Sequence, residues 1–260
     1  MNTALAILAH ALRMLVFEPA TTLRVLMPAL IMVIGCSLAI AFFAPGTIEL
    51  LQSGSQEPPT AVPDVGLFVA FGALGLMGYA LMAILWHRHV LLNGAERPQE
   101  LRPDRRIFLG YIWRAIVVGC FQFAAAVPIT LVMGILGAVL VSGGPASLTA
   151  TLIGLLGSIV FIWIALRLSV ALPAAALGLT LAVRDSWNIT KPLASELWGV
   201  AVLLTGLNMG IYAIATLLLP DTGTIVILAQ TLVFVIEGLI FVSVLTTLYG
   251  HLIEGRSLGQ

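Results

Sequence analysis

The stretch IVILAQTLVFVIEGLIFVSVLTTLY, Ile225 to Tyr249, decides the fold class. At about 1.5 Å per helical residue it reaches roughly 37 Å, more than the ~30 Å of hydrocarbon in a bilayer. Glu237 is its only charged side chain. Counted from Ile225, Glu237 lies about 18 Å along the helix, near the middle of that hydrocarbon. A carboxylate facing lipid there costs about 2.5–3.5 kcal/mol, so it is expected to face other helices.

The rest of the chain belongs to the same class. It is 60% hydrophobic with a mean hydropathy of +1.09 and only 9% charged, whereas soluble domains carry about 25% charged residues. No water-soluble fold accommodates that balance. The 260 residues read as one integral membrane domain, 1–260, an all-α polytopic bundle of six spans near 21–44, 65–92, 107–141, 148–171, 193–219 and 225–249. Residues 1–18 read as an interfacial helix with Leu5, Leu8, Leu12 and Leu15 on one stripe and Arg13 off it. LAHA, residues 8–11, resembles a cleavage pattern, but no basic residue precedes it and the apolar run before it is short, so the segment is expected to be retained.

Between the spans the sequence places breaks. Pro45 to Pro63 reads as the longest loop, NGAERPQELRPDRR as a charged turn, and Pro128 as a kink in the third span. Leu168 to Val183, only about 24 Å if helical, reads as a re-entrant or interfacial segment after span four, with continuation of the fourth helix as the alternative. The spans then pair as three hairpins. Gly72, Gly75 and Gly78, Gly134 with Ala138, Gly154 with Ser158, and Gly206 with Gly210 sit at intervals that suit helix packing. Cys36 and Cys120 fall in apolar runs and read as buried packing thiols.

All twelve Lys and Arg residues fall on one side of this arrangement. Glu49, Glu57, Asp64 and Asp221 mark the other. Basic residues in short loops stay cytoplasmic, so both termini are expected inside, with Trp187 of RDSWNITKP at headgroup level. Arg88, Arg114, Arg167, Arg184 and Lys191 lie at or just within that inner interface on four elements. They read as candidate ligands for anionic lipid headgroups, and Arg114 and Arg167, each inside an apolar stretch, must either snorkel or find partners.

Reaction chemistry is sparse. His87 and His89, two apart, point about 200° from each other around a helix and cannot share one metal as an i, i+4 pair would. There is no His-Glu-x-x-His, no Gly-rich phosphate loop and no Gly-x-Ser-x-Gly elbow. Neither a cofactor nor a metal is expected, nor any nucleic-acid partner. Tyr79, Gln122 and Asn208 lie at the depth of Glu237 and form, with it, a candidate buried polar cluster. Two function classes follow. The first is a non-catalytic accessory subunit or lipid- or protein-binding scaffold, with membrane lipids and a membrane protein as partners. The second is a small transporter or lipid translocator using Glu237.

Four stretches carry a family resemblance: WHRHVLLNGAERP after the second span, ALRLSVALPAAALG leading to RDSWNITKP, and TTLYGHLIEGR closing the sixth. In this order they resemble a group of bacterial six-span inner-membrane proteins of unassigned function. These in turn are similar to the membrane domain attached to some glycerophosphodiester phosphodiesterases. The soluble phosphodiesterase domain has no counterpart here, so the resemblance implies a bacterial cytoplasmic membrane and a six-helix unit, with no catalytic residues carried over. The orientation is checked by labelling: a cysteine at Ser55 is expected to react with an impermeant thiol reagent added outside and one at Gln99 to stay protected. The reverse pattern would invert the topology.

Overall fold

The computed structural model describes residues 2–52, 62–92, 101–140, 146–218 and 224–258. Ser55, Glu57, Arg97, Gln99 and Asp221, used above to read loops and orientation, lie outside them. The fold is all-helical among the described residues, with six helices long and apolar enough to cross a membrane. In order these elements are α1 (Asn2–Phe17), α2 (Pro19–Phe43), α3 (Pro45–Gln52), α4 (Val65–Leu91), α5 (Arg105–Leu140), α6 (Ala146–Ser169), α7 (Ala171–Ala176), α8 (Val183–Ile189), α9 (Ala194–Leu218) and α10 (Thr224–Leu252). The spans are α2, α4, α5, α6, α9 and α10.

Their packing is one-sided along the axis. Buried residues of α4 run from Gly78 to Leu91, in its second half, and those of α9 from Leu197 to Thr205, in its first. In α5 only Tyr111 and Val118 are buried, and the helix runs unbroken through Pro128. The tight core therefore lies at the end where α1, the end of α4 and the C-terminal segment meet, here termed the base. At the far end the helices separate around two crevices. One, of about 540 Å³, opens between α5, α6 and α9; the other, of about 320 Å³, between α2, α4 and α10. Large apolar side chains such as Phe123 (73% exposed) cover the outside, as suits a surface whose solvent is lipid.

Several sequence expectations change here. The stretch after Pro45 opens as a helix, α3, before the chain leaves the described residues. The buried stripe of α1 is Ala4, Ile7 and Ala11, and Leu5 is exposed. Leu8, Leu12 and Leu15 are only partly buried beside that stripe. The reason is close approach: α1 packs on α9 and α10, and the Ala4 methyl presses on Gly199, so small side chains take the contact line. Of the three expected hairpins, α2–α4 and α5–α6 are formed, whereas α9 packs chiefly on α6, and α10 on α1, α2 and α4. Gly75 and Gly78 face Cys36, Met32 and Val33 of α2 as expected, but Gly134, Gly154, Gly206 and Gly210 have no neighbour against them. Cys120 is exposed and Cys36 half-buried, so neither thiol is a core packing group.

After α6 the chain turns at Val170 and carries α7 to new neighbours. Whereas α6 packs on α5 and α9, α7 packs on α5, α4 and α10. Pro173 has no N–H to offer the Ser169 carbonyl one turn back, which favours the break there. Gly178, at φ +79°, ends α7: its N–H bonds Ala175 O at 3.0 Å, and that of Leu179 bonds Ala174 O at 2.9 Å. This is the Schellman arrangement, which places the residue after the helix in the left-handed region and so selects glycine. The segment thus lies buried beneath the bundle, with Ala171, Pro173, Ala174, Ala175 and Ala176 all enclosed.

Where α4 crosses α10, the Tyr79 hydroxyl occupies the space a side chain at position 238 would need, and its ring meets that of Phe234 at a tilt, with centroids 5.1 Å apart. Only glycine permits this approach. Gly238→Ala is expected to destabilise the bundle by about 1–3 kcal/mol through overpacking, read as a lower thermal midpoint in detergent, and Tyr79→Leu in the same chain to recover most of it. An unchanged midpoint would show that the crossing does not exist.

Candidate functional site

The base concentrates the polar groups, and each is placed by a helix end. A helix leaves its last carbonyls without intrahelical donors, and away from water each such group needs a partner. Three arginines supply them. Arg88, 6% exposed near the end of α4, donates through Nη1 to Ala176 O at 2.8 Å, the last carbonyl of α7. Arg167, 5% exposed at the end of α6, donates through Nη2 to Trp187 O at 2.8 Å and through Nε to Thr190 Oγ1 at 3.2 Å, at the end of α8. Arg256, in the segment after α10, donates to Val90 O at 3.1 Å and Leu91 O at 2.8 Å, the final carbonyls of α4. Each cation thus sits at the negative end of a helix other than its own.

Arg167 also holds the aromatic groups of the base. Its guanidinium lies 3.7 Å from the Trp187 ring centre and 5.0 Å from that of Trp163. Trp163 stacks on Trp198 at 4.8 Å and donates its indole N–H to Ala194 O at 2.9 Å. Ser186 closes the arrangement by donating to Arg167 O at 2.7 Å. Among the described residues no carboxylate pairs with Arg167; its charge is met by oxygen dipoles and indole faces.

His87 fills the centre. Fully buried, its Nδ1 lies 2.8 Å from Thr246 Oγ1, and that hydroxyl donates to Val242 O at 2.8 Å. With the threonine proton spent on the carbonyl, Nδ1 must carry the hydrogen, which leaves Nε2 a bare acceptor. No partner reaches Nε2 among the described residues.

The five basic residues chosen from sequence therefore divide. Arg88 and Arg167 serve helix ends, whereas Arg114 is half-buried and Arg184 and Lys191 are exposed; none of these three makes a hydrogen bond or ion pair among the described residues. Val118, one turn after Arg114, shares an apolar cluster with Val183, the neighbour of Arg184. No protein-family model, curated protein or solved structure matches the chain.

The residues proposed around Glu237 also separate. Tyr79 presses on Gly238, the neighbour of Glu237. Gln122 instead donates to Ser169 Oγ at 2.9 Å, beside the α6–α7 turn. Asn208 lines the crevice between α5, α6 and α9. Among the described residues no hydrogen bond joins any two of the four.

Sequence reading missed Arg256, His87 with Thr246, and the indole cluster. The signal for the first was present: in HLIEGR an arginine follows a helix-ending glycine, the position from which a guanidinium reaches back to neighbouring carbonyls. Arg167→Gln is expected to loosen α8, with faster amide exchange at 184–190 and a loss of about 2–4 kcal/mol for the unpaired buried groups. Arg167→Lys is expected to restore little, since an ammonium cannot span the fork and the ring face together. Full recovery by lysine would reduce the residue's role to charge alone.

Proposed function

We propose that the protein is a non-catalytic scaffold of the bacterial cytoplasmic membrane that gathers anionic lipid headgroups at its base, with the base facing the cytoplasm. The observation that carries this reading is the division among its arginines. Arg88 and Arg167 are committed to carbonyl oxygens, while Arg114, Arg184 and Lys191 keep uncompensated charges at the edge of the apolar zone. A cluster of unpaired cations at headgroup level attracts anionic lipid at about 1 kcal/mol per residue. The positive side of the sequence supports the orientation. The exposed outer face of α5 leaves room for a membrane protein partner as well as lipid.

The measurement is lipid retained after purification. Replacing Arg114, Arg184 and Lys191 together by glutamine is expected to lower co-purified phosphatidylglycerol and cardiolipin severalfold without moving the thermal midpoint, since none of the three holds the fold. Anionic lipid retained at the parent level would overturn the proposal.

A further inference from the structure

A second site lies on the other flank of the base, and none of its residues belongs to the lipid patch above. A pocket of about 450 Å³ opens between α1, the start of α2 and the end of α4. That is the size range of small-ligand sites. Trp86, 1% exposed, lines it, and its indole N–H has no acceptor among the described residues. The Nδ1 of His10, which lines the same pocket, is likewise buried without a partner, and in the tautomer with its hydrogen on Nδ1 it too is a donor. An indole N–H can only donate, so an acceptor is wanted at the inner end.

The rim carries both signs of charge. Arg13 and Glu18 line the same pocket and are not paired with each other or with any other described residue. Glu18 sits at the N-cap of α2, yet its side chain takes no hydrogen bond from the first turn. Phe17, 77% exposed, stands at the mouth, where an apolar ring suits the boundary between headgroups and acyl chains.

We infer that this pocket binds the zwitterionic headgroup of an aminophospholipid, with the phosphate held by Arg13, His10 and the Trp86 N–H and the primary ammonium held by Glu18. A purely anionic headgroup satisfies the inner donors but leaves Glu18 opposed to a like charge. A choline headgroup carries the positive charge but offers no N–H for the Glu18 carboxylate to accept. Ethanolamine meets both ends. Phosphate chemistry alone would also admit soluble phosphoethanolamine; the placement of Phe17 and the pocket at a helix end favours the lipid.

The purified full-length chain is titrated with phosphatidylethanolamine or phosphatidylcholine of matched acyl chains, and bound lipid is counted by native mass spectrometry. One ethanolamine lipid is expected to bind in about tenfold preference, the scale of one charge-assisted hydrogen bond. Glu18→Gln is expected to erase the preference, and Arg13→Gln to weaken both lipids. Trp86→Phe, which keeps the ring and removes the donor, is also expected to weaken both. Equal binding of the two lipids by the parent protein, or an unchanged preference in Glu18→Gln, would overturn the assignment. Soluble phosphoethanolamine binding as tightly as the lipid would overturn the lipid source. The Arg114, Arg184 and Lys191 triple variant is expected to keep the preference, so the two sites fail or stand separately.

Discussion

The base depends on guanidinium groups placed at the carbonyl ends of helices to which they do not belong. Three such contacts link α4 to α7, α6 to α8 and the C-terminal segment to α4. In water these carbonyls would be hydrated and the arginines mobile. Within or beside hydrocarbon neither alternative exists, so orphan acceptor and costly cation resolve each other. Arginine rather than lysine suits the task because its fork spans two acceptors, as Arg167 and Arg256 both show, and its plane can lie against an aromatic face, as that of Arg167 does on Trp187.

This constraint accounts for the uneven packing. Short helices such as α7 and α8 offer little apolar surface of their own, and polar anchoring is what fixes them beneath the bundle. Once fixed, they fill the space between α4, α5, α6 and α10 and create the enclosed core around His87, Leu166 and Leu245. Among the described residues, the far halves of α5, α6 and α9 carry no arginine set against another helix's carbonyl end. There, Thr130, Ser158 and Thr216 return their hydroxyls to their own helix backbones, which satisfies the hydroxyls and fastens nothing.

The spans were legible in the sequence because length and apolarity alone define them, and the observed ends fall within a few residues of the expected ones. Pro173 marked the break at Val170, although the fourth apolar helix as a whole carries on to Ala176, as the alternative reading had it. What the sequence concealed was which of two similar residues does what. Arg114 and Arg167 both interrupt apolar runs, but one is left open and the other meets Trp187 and Thr190, and only the packing of α8 distinguishes them. The stripe on α1 was misread for a related reason: leucines mark hydrophobicity, whereas Ala4 and Ala11 mark where another backbone comes close. The separation of Gln122 and Asn208 from Glu237 likewise follows from rotation about helix axes, which depth counting does not contain.

The contact between Arg256 and the end of α4 also has a consequence in time. Its partners stand 165 residues apart in the chain, and α1 rests in part on α10, made after the other five described spans. At a synthesis rate of about 5–20 residues per second, roughly ten to thirty seconds separate the emergence of the two partners. During that interval α1 lacks the α10 side of its seat and the terminal carbonyls of α4 lack the Arg256 donor. The growing chain therefore waits with α1 and α4 incompletely partnered until α10 and Arg256 emerge.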